Sequence, residues 1–243
     1  MPMYRVEYNG KCNTSLYILV KERPAIPSPE YDYDTVKIPG RDGDVYIEKK
    51  TVKDITIPIS FTFACKPHRW QGVAREARKW LLGKGDRKLT LSDNQDRYYK
   101  VKHVVVNQTE RQVKEVGEFS ADFICEGRQY LFEGDRPLEL TYTNGSSGQS
   151  THVWNPYEVS MPVFIVSGSG TCRISVNGNV LEAEVNGRLT VDTQREVAYK
   201  ADMSSANTNV TCDYETLALE PGDNTITKTA GFALQILPKW REI

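Results

Sequence analysis

The sequence predicts a mainly β protein in two domains: residues 1–138, a β-barrel or sandwich-like domain with one α-helix, and residues 139–243, a β-sandwich. Two observations carry the β reading: apolar and polar residues alternate in short runs along the chain, and Asn-Gly and Pro-Gly turn signals punctuate the second half at close intervals. A third adds the helix, because apolar residues fall at helical spacing in one convincing segment.

In the first domain, alternation marks strands at about Leu16–Val20, Val45–Glu48 and Lys53–Ala64. In the last of these Ile55, Ile57, Ile59, Phe61 and Phe63 share one face. Pro58 cannot donate to a ladder, so this strand is expected to be bulged or at an edge there. Further strands are expected at Lys88–Leu91, Tyr98–Asn107 and Gly117–Cys125. The helix follows Pro67: Trp70, Val73, Ala74, Ala77, Trp80 and Leu81 lie on one face, both tryptophans pack beneath it, and Gly83 and Gly85 stop it.

The boundary is read from Thr141–Ser150, a segment without charge or aliphatic side chains that includes Asn144-Gly145-Ser146-Ser147-Gly148. Charge also changes along the chain: residues 1–135 hold 23 basic and 20 acidic side chains, and residues 136–243 hold 8 and 12. Beyond the boundary, strands are expected at Pro162–Val166, Cys172–Val176, Leu181–Val185, Arg188–Asp192, Glu196–Lys200, Tyr214–Leu217, Asn224–Thr229 and Gly231–Leu237. Gly168-Ser169-Gly170, Asn177-Gly178 and Asn186-Gly187 read as the turns between successive strands. Antiparallel strands at this spacing make a sandwich that needs no helix.

At 243 residues, with 39% hydrophobic and 26% charged residues, the chain has ordinary globular composition. Lysine and arginine (31) balance aspartate and glutamate (32), so no bulk attraction to nucleic acid or an anionic membrane is expected. No apolar run approaches the roughly 18 residues of a membrane span, and the charged stretch Met1–Gly10 is unlike a signal peptide, so a soluble protein is expected. Cys12, Cys65, Cys125, Cys172 and Cys212 are odd in number and widely spaced, which reads as small buried hydrophobes rather than disulfides or a zinc site.

No catalytic, cofactor or metal constellation is found. His68, His103 and His152 are far apart in sequence. Gly168-Ser169-Gly170 lacks the spacing of a nucleophile elbow, and Asp42-Gly43-Asp44 lacks the remaining ligands of a calcium loop. Asp213 and Glu215, expected on one strand face, are the only carboxylate pair that could serve glycoside hydrolysis. The helix and its exit carry Lys66, Arg69, Arg75, Arg78, Lys79, Lys84, Arg87 and Lys88 against Glu76 and Asp86. With both tryptophans on the apolar face, this reads as a solvated face or subunit contact before a nucleic-acid surface.

The segment that stands out carries no chemistry. Arg23–Glu30 holds three prolines in six residues and favours an extended arm. Pro39-Gly40 and Asp42-Gly43 are turn dipeptides that would set Arg41 at a fixed angle.

These residues resemble the distal tail protein of long-tailed, non-contractile siphophages. The resemblance rests on Ile38-Pro39-Gly40-Arg41-Asp42-Gly43, on Phe61-Thr62-Phe63 followed by a helix closing Trp80-Leu81-Leu82-Gly83, and on Leu89–Asp93 before Tyr98-Tyr99. It continues through Asn155-Pro156, Ile165–Gly170, Ile174–Gly178, Val191-Asp192 and Leu219–Asn224, and so spans nearly the whole chain. It implies an N-terminal domain that forms a hexameric ring capping the tail tube, a galectin-like C-terminal sandwich, and a structural rather than enzymatic role. Implied partners are the tail tube protein, the tail-associated fibre or lysin protein and, in some members, receptor-binding proteins; there is no membrane and no specific nucleic-acid binding, DNA passing through the ring channel. Under this resemblance Pro39, Gly40, Arg41, Asp42 and Gly43 become a subunit interface. Ala201–Thr211 is only a modest loop, so the short form of the family is expected, without long peripheral arms. Two rivals remain: a module binding cell-wall glycan through Trp154, Tyr157 or Trp240, and a polysaccharide-degrading enzyme using Asp213 and Glu215.

Overall fold

The computed structural model describes residues 3–111, 113–145 and 148–243. Ser146 and Ser147 of the expected boundary segment lie outside the described residues. The chain divides into two units, Met1–Gln129 with Ile243 and Tyr130–Glu242. The division falls inside the strand Val116–Leu131, earlier than composition suggests. The reason is packing: Leu131 and Leu138 join the core of the second unit, and Leu138 N donates to Ile236 O at 2.9 Å.

The first unit is built on a sheet in the order Lys11–Cys12, Val6–Tyr8, Lys88–Leu91, Asn94–Val106, Val116–Leu131, Ile55–Ala64, Ile18–Val20. The strand Ile55–Ala64 is at its centre of packing, with Ile57, Ile59 and Phe61 fully buried and Ile55 and Phe63 nearly so. Each such side chain contributes about 1.5–3 kcal/mol by leaving water. The strand pairs continuously with Val116–Leu131, but on its other side only Phe61–Phe63 meet Ile18–Val20. Pro58 therefore sits at an open edge with no register shift, and the edge alternative holds rather than the bulge.

The helix Trp70–Leu82 buries Trp70, Ala74, Ala77, Trp80 and Leu81, the face its spacing predicts. Trp80 meets Phe61 edge-on at 5.7 Å, and its Nε1 donates to Tyr8 O at 2.8 Å, so the indole is satisfied inside the core. Its end differs from expectation. Gly83 has an extended backbone instead of a left-handed cap, and it must be glycine because a Cβ there would strike the Lys79 carbonyl. The cap comes from far away in sequence: Asn9 Nδ2 donates to the carbonyls of Trp80 and Gly83, each at 3.1 Å.

The second unit is a sheet in the order Thr143–Gly145, Gly148–Asn155, Gly222–Lys228, Val163–Val176, Asn179–Asp192, Val197–Lys200, with Ala233–Leu237 also on Val163–Val176. Asn177-Gly178 is the expected hairpin turn, both residues having positive φ. The other two expected turns are not turns. Gly168-Ser169-Gly170 and Asn186-Gly187 lie opposite one another inside two uninterrupted strands, Gly168 pairing with Gly187. Gly168 is there because Phe232 lies where its Cβ would be. Tyr214–Leu217 is a 3-10 turn and not a strand, and Ala201–Thr211 contains the short strand Val210–Thr211 on Asn179–Asp192.

Buried asparagines organise this unit. Asn224, fully buried, donates to the carbonyls of Glu220 (2.8 Å) and Gly222 (3.1 Å) and accepts from Glu220 N (2.9 Å) and Asn177 Nδ2 (2.8 Å). It thereby closes the Leu219–Asn224 turn and ties it to the Asn177-Gly178 turn. Asn155 plays the same part at Asn155-Pro156, donating to Leu219 O and Glu158 O.

Candidate functional site

Between Lys21 and Ile55 the chain leaves the main sheet. Residues 23–30 run without regular structure, as three prolines dictate, and lead into a hairpin of Tyr31–Lys37 paired with Asp44–Val52. This hairpin is a separate two-stranded sheet. Only Val45–Glu48 of it was expected as strand.

Its tip is the segment singled out from the sequence. Lys37 pairs with Asp44, so Ile38–Gly43 forms the loop, and Arg41 N donates to Ile38 O at 3.2 Å. Gly40 and Gly43 have φ of 82° and 81°, a conformation that explains why glycine follows Pro39 and Asp42. Pro39, Gly40, Arg41, Asp42 and Gly43 are thus brought together, all exposed, with Arg41 carried between the two glycine turns as expected.

No described side chain of either hairpin strand is buried. Tyr46 is 64% exposed and Ile47 53%, with Tyr31, Tyr33, Val36 and Ile38 close behind. Internal order comes from surface contacts: Tyr33 meets Tyr46 edge-on at 5.0 Å, and Lys49 pairs with Asp34 at 2.7 Å and Asp32 at 3.7 Å. The hydrogen bond to Asp34 raises the Lys49 pKa from its ordinary value. Lys53 Nζ lies 4.9 Å from the Tyr33 ring and 3.4 Å from Glu30. Exposed pairs of this kind add little to stability, because solvent screens them and ordering the side chains costs entropy. A two-stranded sheet with apolar groups in water is marginal alone, and its unpaired edges invite a partner.

The other sequence candidates separate. Lys79 pairs with Glu76, Lys88 with Asp86, and Arg87 donates to Lys102 O, while Lys66, Arg69, Arg75, Arg78 and Lys84 are exposed without an ion pair among the described residues. Asp213 precedes the 3-10 turn that holds Glu215, so the two do not share a strand face. All five cysteines are free: burial pushes the Cys125 thiol up to about 12, and burial does the same to Cys212, to about 11. Of the three aromatics, Trp240 is buried and packs on half-buried Tyr157, while Trp154 is 67% exposed. Among the described residues no helix is long and apolar enough to cross a membrane, and no metal-binding cluster is found.

Residues 13–125 match the family described as phage tail protein RIFT-related domain. The matched span runs from the buried Asn13 through the hairpin and helix to Cys125. No curated protein matches the chain by sequence. Among solved structures, the chain is similar to the Dit (gp 19.1) protein of SPP1, described as a paradigm of the hub adsorption apparatus in phages infecting Gram-positive bacteria. The match covers 99% of both chains with a TM-score of 0.65 at 17% identity, so the two share a fold over their whole length.

Proposed function

We propose that this chain, whose residues 13–125 match the phage tail protein RIFT-related domain family and whose fold is shared over its whole length with the Dit protein of SPP1, is a phage tail protein that forms a hexameric ring at the distal end of the tail tube. The ring acts as the baseplate hub, joining the tube protein to the fibre or lysin protein and to the host-adhesion apparatus. Its role is structural, and its place is the virion tail tip.

The observation that carries this reading is the hairpin Tyr31–Lys37/Asp44–Val52. It presents Tyr46, Ile47 and the 39–43 tip to solvent on an arm with no buried side chain of its own among those described. In a closed ring each copy offers the same arm to the next, so one such element per chain supplies every contact of its type. Covering the arm removes its apolar groups from water and gives its edges a neighbour. In this reading Arg41, carried between Pro39, which fixes its own φ, and the positive-φ turns at Gly40 and Gly43, contacts the adjoining subunit.

The test is the mass in solution by light scattering over a concentration series, with negative-stain imaging of the largest species. The expected outcome is a mass near six times the 27.6 kDa chain and annular particles. A strict monomer at every concentration, with the tube protein present as well as absent, overturns the ring.

A further inference from the structure

On the outward face of the second unit, Trp154 lies directly across from Asp223, and His152 across from Thr225, on the paired strands Gly148–Asn155 and Gly222–Lys228. All four side chains are exposed. His152 Nδ1 donates to Asp223 Oδ2 at 2.9 Å, which fixes the imidazole and leaves Nε2 and one carboxylate oxygen for other partners. Gly222 lies beside the indole: a Cβ added there would come to 3.9 Å from Trp154 Cζ3, an ordinary van der Waals distance. Beneath it Asn155 is anchored to Leu219 O at 3.0 Å and Glu158 O at 2.9 Å, so the backbone that presents the ring is rigid. Past Ser150 the strand has no neighbour on its outer side among the described residues, leaving the approach to Trp154 and His152 open.

We propose that Trp154, His152, Asp223 and Thr225 form a shallow platform that binds one pyranose unit of a polysaccharide. The chemistry matches part by part. A pyranose has an apolar face of C–H groups that lies on an indole, and equatorial hydroxyls that both donate and accept. Asp223 accepts hydrogen bonds from hydroxyls, the free nitrogen of His152 engages a second hydroxyl, and the Thr225 hydroxyl can donate or accept. A protein partner would want contiguous apolar surface at the centre of its contact. Here a single ring stands among Ser150, His152, Asp223, Thr225 and Thr227. The platform is flat and leaves much of a bound sugar in water, so the binding of one unit is weak. It does not depend on ring formation, so its failure and the failure of the hub reading are separate results.

The full chain is titrated with a panel of oligosaccharides of hexoses, N-acetylhexosamines and deoxyhexoses while tryptophan emission is followed. Trp70, Trp80 and Trp240 are buried, so a blue shift on covering an exposed indole belongs to Trp154. The expected result is a saturable shift with at least one saccharide, weakened about tenfold or lost in Trp154→Ala and weakened several-fold in His152→Ala, with the unfolding midpoint of both variants unchanged. No saturable response across the panel overturns the platform, and so does a response that survives in Trp154→Ala. An emission shift that follows protein concentration and not sugar assigns Trp154 to contact between copies and also overturns it.

Discussion

Two neighbouring strands of the first unit both carry apolar side chains and have opposite fates. Ile55–Ala64 alternates strictly and buries every second side chain to 5% exposure or less. Asp44–Val52, which ends only two residues earlier, leaves Tyr46 and Ile47 more than half exposed. The first is covered by the helix and by aromatic groups such as Trp80 and Phe119, which pack against Phe61. The second lies against Gly127 at its Val52 end, and its one strand partner among the described residues is its hairpin mate. An apolar pattern therefore identifies a strand but not what covers it, and the uncovered strand is the one on which the proposed assembly contact rests.

The comparison predicts that substitutions in the two strands' surroundings act on different quantities. The largest effect on stability is expected at the covered strand. Trp80→Ala removes the ring that meets Phe61 and the donor that satisfies Tyr8 O, and should cost about 3–5 kcal/mol, read as a lowered unfolding midpoint in denaturant. An unchanged midpoint would show that the helix contributes little to holding that face.

A smaller loss is expected where a polar side chain does the holding. Asn224→Ala leaves Glu220 N and the Glu220 carbonyl without their internal partner, at a cost of about 1–3 kcal/mol. If the cost is indistinguishable from that of an exposed substitution such as Thr225→Ala, water replaces the asparagine and the turn does not depend on it.

These two positions also mark what was legible in the sequence. Period-2 and period-3.6 patterns report which side chains face a core, so Ile55–Ala64 and the buried face of Trp70–Leu82 could be read directly. Positive-φ dipeptides are local, so Asn177-Gly178 and the 38–43 tip could be read too. Long-range closures could not. The Asn9 cap on the helix end joins residues that no short window brings together. For the same reason Gly168–Gly170 and Asn186-Gly187 looked like turns: each is a glycine-rich break by itself, and only their mutual pairing and the closeness of Phe232 keep both strands extended. Tyr31–Lys37 was missed because three prolines just before it dominate the reading, and its alternation places aspartate where a buried strand would hold an apolar residue.

The smallest effect on stability, and the one that most sharpens the contrast, is expected at the hairpin. Tyr46→Ser with Ile47→Ser takes away two side chains that already face water, so the unfolding midpoint should move by no more than about 0.5 kcal/mol in equivalent stability. The same change removes much of the apolar surface the arm offers to a neighbouring copy, and Arg41→Ala removes the cation at its tip. Both variants should shift the light-scattering mass toward the monomer while leaving unfolding where it was. If the double variant instead lowers the midpoint by as much as Asn224→Ala, the hairpin is covered within its own chain in solution and cannot be the arm that joins subunits. If stability and mass are both unchanged, the contact lies on another surface, and the five unpaired cations of the helix face and its flanks, Lys66, Arg69, Arg75, Arg78 and Lys84, become the next surface to reverse in charge.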